Sequence, residues 1–95
     1  MIDLLAYRIR LKGTELYYQP IKGRWNGKKS NLAIRGKVYL IKPALPDPVG
    51  CEVSDTLVSK YSLRYSEKNW RKGQKYLSDE YKFELVTYKL VEEEV

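Results

Sequence analysis

Residues 6–11 have the sequence AYRIRL, in which apolar and cationic side chains alternate from Tyr7 onward. Tyr7, Ile9 and Leu11 form one set of alternate positions, and Arg8 and Arg10 form the other. A period of two residues is that of a β-strand with one face buried and one face in water. The pattern therefore predicts a strand with a core-facing side and two arginines on its outer side.

The residues after this strand predict a hairpin. Residues 12–15, KGTE, contain the glycine and polar residues typical of a turn. Residues 16–19, LYYQ, are rich in strand-forming aromatics and are followed by Pro20. Adjacent residues of a strand face opposite sides, so one of Tyr17 and Tyr18 is expected on the outer face.

Three further segments complete the N-terminal half. Residues 20–31, PIKGRWNGKKSN, have neither helical nor strand periodicity and predict an exposed loop. Residues 36–42, GKVYLIK, predict a strand with substantial burial on both faces, because most of its side chains are apolar, and Pro43 ends it. The prolines between residues 43 and 48, with Gly50, predict an extended connector.

The C-terminal half mixes helix and strand signals. Ser54 and Asp55 can cap a short helix that ends near Leu63, although the β-branched residues of this segment also fit a strand. Residues 66–73, SEKNWRKG, predict either a helical turn closed by glycine or a polar loop anchored by its tryptophan. Residues 81–91 predict a long strand, central enough in its sheet to be apolar on both sides.

These segments predict a single α+β domain over residues 1–95, which is long enough to bury a thin core. We expect a mostly antiparallel sheet of three to five strands, with one or two short helices in the 51–78 region. The basic β-rich half covers 1–45, the mixed half covers 51–91, and 92–95 form an acidic tail. An edge strand such as the first hairpin could pair between chains, so a homodimer is compatible with the pattern.

Positive charge is concentrated in the first half of the chain. The net charge is +6 overall, but residues 1–46 carry ten cationic side chains against two carboxylates, for a net charge of +8. Residues 47–95 carry eight cations against ten carboxylates, for a net charge of −2. Such a field attracts nucleic acid or an acidic protein surface.

The residue types argue against catalysis. The chain has no histidine and one cysteine, Cys51, so the usual general base of serine and cysteine hydrolases is missing. Only carboxylates could hold a metal, and Asp79, Glu80 and Glu84 are interpreted as solvated surface charge. We therefore expect a non-enzymatic protein that binds neither cofactor nor metal.

The expected location is the cytoplasm. A single cysteine precludes an intramolecular disulfide, which fits a reducing compartment. The short apolar run at the N-terminus is interrupted by Arg8 and Arg10 and matches neither a signal peptide nor a membrane span. No membrane partner is expected.

The most informative local feature is the segment of residues 22–30, KGRWNGKKS, in which cations flank a tryptophan. Such a segment can pair with phosphates while its ring stacks on a base, and it equally fits a solubilising loop or a contact for a protein partner. The candidate binding residues share positive charge or an aromatic ring; they are Arg8, Arg10, Tyr17, Lys22, Arg24, Trp25, Lys28, Lys29 and Arg35.

Several segments of the first 43 residues together resemble a family of small uncharacterised proteins encoded by tailed bacteriophages. They are YRIRLK at 7–12, LYYQP at 16–20, NL at 31–32, GKVY at 36–39 and KP at 42–43. The family has no assigned chemistry, so the resemblance implies a setting, the host cytoplasm. Accessory proteins of this kind are expected to bind host components stoichiometrically, including components of antiviral defence.

Two functional hypotheses follow. The first is a non-enzymatic inhibitor or modulator that docks on a host protein or ribonucleoprotein through the basic, aromatic surface. The alternative is a protein that binds single-stranded DNA or RNA with the same residues.

Overall fold

A computed structural model of the chain describes residues 4–20, 31–48, 51–68 and 71–92. Within these ranges the chain forms seven strands and one helix. They are β1 (Leu5–Leu11), β2 (Tyr17–Tyr18), β3 (Leu32–Ala33), β4 (Glu52–Val53), α1 (Asp55–Tyr61), β5 (Tyr65–Lys68), β6 (Arg71–Leu77) and β7 (Phe83–Lys89). The predicted α+β class is confirmed. Its strands are divided between two antiparallel sheets.

The first sheet has the strand order β3-β2-β1-β7. Strands β1 and β7 pair along their full length, from Leu5 opposite Lys89 to Leu11 opposite Phe83. The alternation predicted for β1 is confirmed, because Ile9 and Leu11 are 1% and 0% exposed. The predicted hairpin is also confirmed, since Arg10 pairs with Tyr17 of β2.

The second sheet has the order β4-β6-β5, and α1 connects β4 to β5. The helix begins after Ser54, whose hydroxyl accepts a hydrogen bond from the Leu57 amide at 3.3 Å. It ends at Tyr61 and is capped by Ser62, which adopts the left-handed conformation with φ of 52°. The helical interpretation of this segment is confirmed, and the strand alternative is wrong.

One hydrophobic core joins the two sheets. It contains residues of β1, β3 and β7 from the first sheet and residues of β4 and β6 from the second, together with Val58 of α1. Asn31 also links the sheets. Its backbone N–H donates to the Glu52 carbonyl at 2.7 Å, and its side-chain Oδ1 accepts from the backbone N–H of Glu52 at 2.8 Å. The first sheet is thereby supported on one side and keeps an outer face.

The interpretation of residues 66–73 is wrong, because the described part of this segment belongs to strands β5 and β6. Tyr65 pairs with Leu77 and Ser66 pairs with Tyr76. Tyr76 and Leu77 are 4% and 2% exposed, so burial of this pair of apolar side chains favours a hairpin over a polar loop. Trp70 lies outside the described residues.

The prediction of a buried strand over residues 36–42 is also wrong. Only Tyr39 makes a strand-like bridge, through two 2.8 Å hydrogen bonds with Tyr7. Val38, Leu40 and Ile41 are 57%, 73% and 85% exposed. Strand β2 already occupies the same edge of β1 at Arg10, so the segment pairs with β1 at Tyr7 alone before Pro43 and the connector follow.

The predicted C-terminal strand is confirmed as β7, but its central position is wrong. In the described structure β7 pairs with β1 alone and forms an edge of the first sheet. The alternate residues Phe83 and Leu85 contribute to the core, whereas Glu84 and Tyr88 lie on the outer face. In the described ranges no helix is both long and apolar enough to cross a bilayer.

Candidate binding face on the first sheet

Two arginines and two tyrosines meet on the outer face of the first sheet. Paired residues of an antiparallel ladder share a face, so Arg10 lies beside Tyr17 of β2, and Ala6 lies beside Tyr88 of β7. Arg8 lies between these two pairs and reaches both rings diagonally. We call Arg8, Arg10, Tyr17 and Tyr88 the arginine–tyrosine face.

Arg8 is fixed by contacts on three sides. Its Nε donates to the Tyr88 hydroxyl at 2.9 Å, as does its Nη2. Its Nη1 donates to the Arg35 carbonyl at 2.8 Å. The guanidinium carbon lies 3.6 Å from the centre of the Tyr17 ring, a cation–π contact. The guanidinium is therefore held in one orientation by groups that carry no compensating negative charge.

Arg10 is in a different electrostatic state. Its Nε donates to Oε1 of Glu84 at 2.7 Å, with both side chains about one-third exposed (37% and 33%). The hydrogen bond to Glu84, and then that to Tyr17, raises the pKa of Arg10. A carboxylate from the second half of the chain thus neutralises one of the two arginines, so the positive charge of this face resides on Arg8.

The backbone at Gly36 packs closely against Tyr17. Gly36 has a φ of +67°, and a Cβ built there would lie 2.3 Å from the Tyr17 Cβ. Glycine is therefore the residue that permits this close approach. A hydrogen bond with Tyr88, and then one with Arg10, lowers the pKa of Tyr17. The two tyrosines and two arginines are consequently one connected polar network.

The structure brings together four of the predicted binding residues and leaves five undescribed. Arg8, Arg10 and Tyr17 share the face, and Arg35 joins it through its carbonyl while its own side chain is exposed. The remaining five predicted residues lie outside the described residues: Lys22, Arg24, Trp25, Lys28 and Lys29.

Tyr88 belongs to the arginine–tyrosine face but was not among the predicted binding residues. Its hydroxyl accepts hydrogen bonds from Arg8. The signal that could have identified it is its distance in sequence from Phe83. The two residues of β7 are an odd number of positions apart, so their side chains face opposite sides of the sheet and Tyr88 points away from the core.

The carboxylates interpreted as solvated charge are mostly paired. Glu80 accepts from Arg64 at 2.7 Å and from the Ser78 hydroxyl at 2.9 Å, and Glu84 is bound to Arg10. In the part of the chain that the structure describes, no three Asp, Glu, Cys or His side chains converge on a point where a metal ion could bind.

Cys51 is buried in the core, with an exposure of 7%. Burial, and then the charge of Asp47, raises the pKa of its thiol to about 11. A buried thiol with a raised pKa is suited to a structural rather than a reactive role.

This shift gives a pH-dependent stability. Below the ordinary value of 9.0 the thiol keeps its proton in both the folded and the unfolded chain. Above that value the thiol of the unfolded chain loses its proton while the thiol of the folded chain keeps it, which favours unfolding. The contribution of the protonated Cys51 thiol to the free energy of unfolding is therefore lost as the pH rises through about 11. We expect the free energy of unfolding, measured in urea, to fall more steeply between pH 9 and 11 in the wild type than in Cys51→Ala. Equal slopes would contradict the assignment.

Comparison with known proteins finds no match: no protein family, no curated protein and no solved structure corresponds to the chain. The candidate function therefore depends on the geometry of the face and on the charge of the sequence.

Proposed function

We propose that the protein is a non-enzymatic binding module that docks on another protein, or on the protein component of a nucleoprotein, through the arginine–tyrosine face. The biological role that fits such a module is that of a phage-type accessory protein that inhibits or modulates a host component in the cytoplasm. A protein that acts by covering a surface needs shape and charge complementarity but no catalytic group.

The observation that carries this proposal is the state of Arg8. Its guanidinium is oriented by Tyr17, Tyr88 and the Arg35 carbonyl. Fixing an arginine before binding removes most of the entropy that its side chain would otherwise lose in a complex. Arginine and tyrosine are also the residues enriched at the centres of interfaces. The described residues accept three of the five guanidinium N–H groups, which leaves two for carboxylates or carbonyls of a partner.

The flanks of the face support a protein partner. Ile34 and Val38 are both 57% exposed and lie two residues on either side of Gly36, which contacts Tyr17. These exposed apolar side chains lie in the segment whose Arg35 carbonyl binds Arg8, and they favour a protein partner because the cores of protein interfaces are apolar.

The same geometry is less suited to a nucleic acid. Sequence-independent binding of single strands needs open aromatic rings on which bases stack, and unpaired cations along the backbone. Here the Arg8 guanidinium covers one side of the Tyr17 ring, and Glu84 neutralises Arg10. Nucleic-acid binding is therefore the second hypothesis, and it is separated from the first by experiment.

The test is affinity capture from host-cell lysate, with and without nuclease treatment. It uses wild-type protein and Arg8→Glu. Arg64→Glu is the matched control, because Arg64 undergoes the same charge reversal next to the second sheet, where its side chain is 76% exposed. Circular dichroism confirms that each variant is folded.

We expect wild type and Arg64→Glu to capture the same protein after nuclease treatment, and Arg8→Glu to lose it, by at least about 30-fold in affinity. Capture that disappears with nuclease, together with oligonucleotide binding that weakens linearly on a log–log plot against salt, would favour the nucleic-acid hypothesis. Equal capture by Arg8→Glu and wild type would contradict the proposed face.

A further inference from the structure

The longest strand at a sheet edge among the described residues is β7, and no other described strand pairs with its outer edge. Hydrogen bonds at both ends of β7 involve even-numbered residues: Lys12 N–H donates to the Lys82 carbonyl, and Leu90 N–H donates to the Leu4 carbonyl, both at 2.8 Å. Pairing alternates along an antiparallel ladder, so the even-numbered residues bond to β1. The N–H and C=O groups of Phe83, Leu85 and Thr87 therefore point away from the sheet.

Natural edge strands are often shortened, bulged, interrupted by proline or given charged side chains. In the described structure this edge carries the charged residues Glu84 and Lys89 but has none of the first three protections. Residues 81–92 contain no proline, and the β1–β7 register runs over seven residue pairs without a shift. The first hairpin, by contrast, is enclosed, since β1 lies between β2 and β7, and β2 lies between β3 and β1.

We propose that β7 pairs with β7 of a second copy, antiparallel and about a twofold axis at Val86, to give a continuous eight-stranded sheet. This register overlaps all seven residues of the strand. It places Leu85 opposite Thr87 of the other copy, so their outward-pointing backbone groups meet, and Val86 opposite itself in a pair without hydrogen bonds.

The charge pattern of β7 favours a second copy as the occupant, because this register opposes no like charges. Glu84 faces the uncharged ring of Tyr88 of the other copy. Lys82 and Lys89 face Leu90 and Phe83, so no two like charges stand opposite each other within the paired strands.

The proposal does not depend on the identity of the partner, but it adds to the proposed function. A twofold axis perpendicular to the sheet keeps the two outer faces on the same side. The dimer would present two arginine–tyrosine faces side by side, and a partner with two matching sites would gain affinity from the second contact.

Cysteine cross-linking tests both the dimer and its register. In a pair without hydrogen bonds the Cα atoms are about 4.5 Å apart, which a disulfide can bridge. Val86→Cys should therefore form a disulfide-linked dimer under mild oxidation. In Thr87→Cys the two sulfur-bearing residues would be about 8 Å apart, beyond the range of a disulfide, so this variant should cross-link much more slowly. Cys51 is buried in both variants.

Light scattering of the wild type and of Thr87→Pro completes the test. Proline at residue 87 removes an N–H that points to the free edge and leaves the bonds to β1 intact, so we expect a folded monomer, whereas the wild type forms dimers as its concentration rises. A wild type that stays monomeric at all concentrations, or faster cross-linking of Thr87→Cys than of Val86→Cys, would overturn the proposal.

Discussion

Replacing Gly36 with alanine should destabilise the protein by about 3 kcal/mol. The positive φ of +67° costs an L-residue roughly 1–2 kcal/mol. The new Cβ would also lie 2.3 Å from the Tyr17 Cβ and 3.1 Å from the Tyr18 carbonyl oxygen, contacts that a strand cannot relieve without moving. Overpacking of this kind typically costs 1–3 kcal/mol. Urea unfolding followed by circular dichroism measures the loss.

Gly13→Ala is the matched control for this experiment. Gly13 also has a positive φ, +85°, but a Cβ built there would have no heavy atom within 4 Å. This variant should therefore lose only the conformational contribution, about 1 kcal/mol. Equal losses in the two variants would contradict the close contact between Gly36 and Tyr17. They would also contradict the position of the neighbouring Arg35 carbonyl, which orients Arg8.

Removing the side chain of Leu11 should have an effect of similar size. Leu11 is 0% exposed and belongs to the core that joins the two sheets. Truncation of a buried leucine to alanine costs 2–5 kcal/mol, so Leu11→Ala should lose about 3 kcal/mol in the same urea assay.

Leu40→Ala is the control for Leu11→Ala, because it makes the same chemical change at a residue that is 73% exposed. It should change the free energy of unfolding by less than about 0.5 kcal/mol. The sequence alone predicts a buried strand over residues 36–42 and hence a large loss. A loss at Leu40 equal to that at Leu11 would therefore support the sequence prediction against the structure.

The contrast between these two leucines shows which features the sequence could specify. In β1 the alternation of Ile9 and Leu11 with two arginines distinguishes one face from the other, and the strand was predicted correctly. In residues 36–42 the apolar side chains follow one another without alternation. Such a run specifies burial only if a partner strand is present, and pairing with β1 is limited to Tyr39.

The candidate site was only partly predictable for a similar reason. Local periodicity placed Arg8 and Arg10 on one face and identified Tyr17 as a candidate for it. Nothing local indicates that Glu84 pairs with Arg10 or that Tyr88 binds Arg8, since these contacts join residues 74 and 80 positions apart. They follow from the register between β1 and β7, which is determined by the packing of the whole core.

The central claim is that the arginine–tyrosine face is the contact surface, and hydroxyl-radical footprinting of the captured complex tests it most directly. Tyr65 of the second sheet, 43% exposed, is an internal reference. We expect oxidation of Tyr17 and Tyr88 to fall when the partner binds, while oxidation of Tyr65 is unchanged. Protection of Tyr65, with Tyr17 and Tyr88 as reactive as in the free protein, would contradict it.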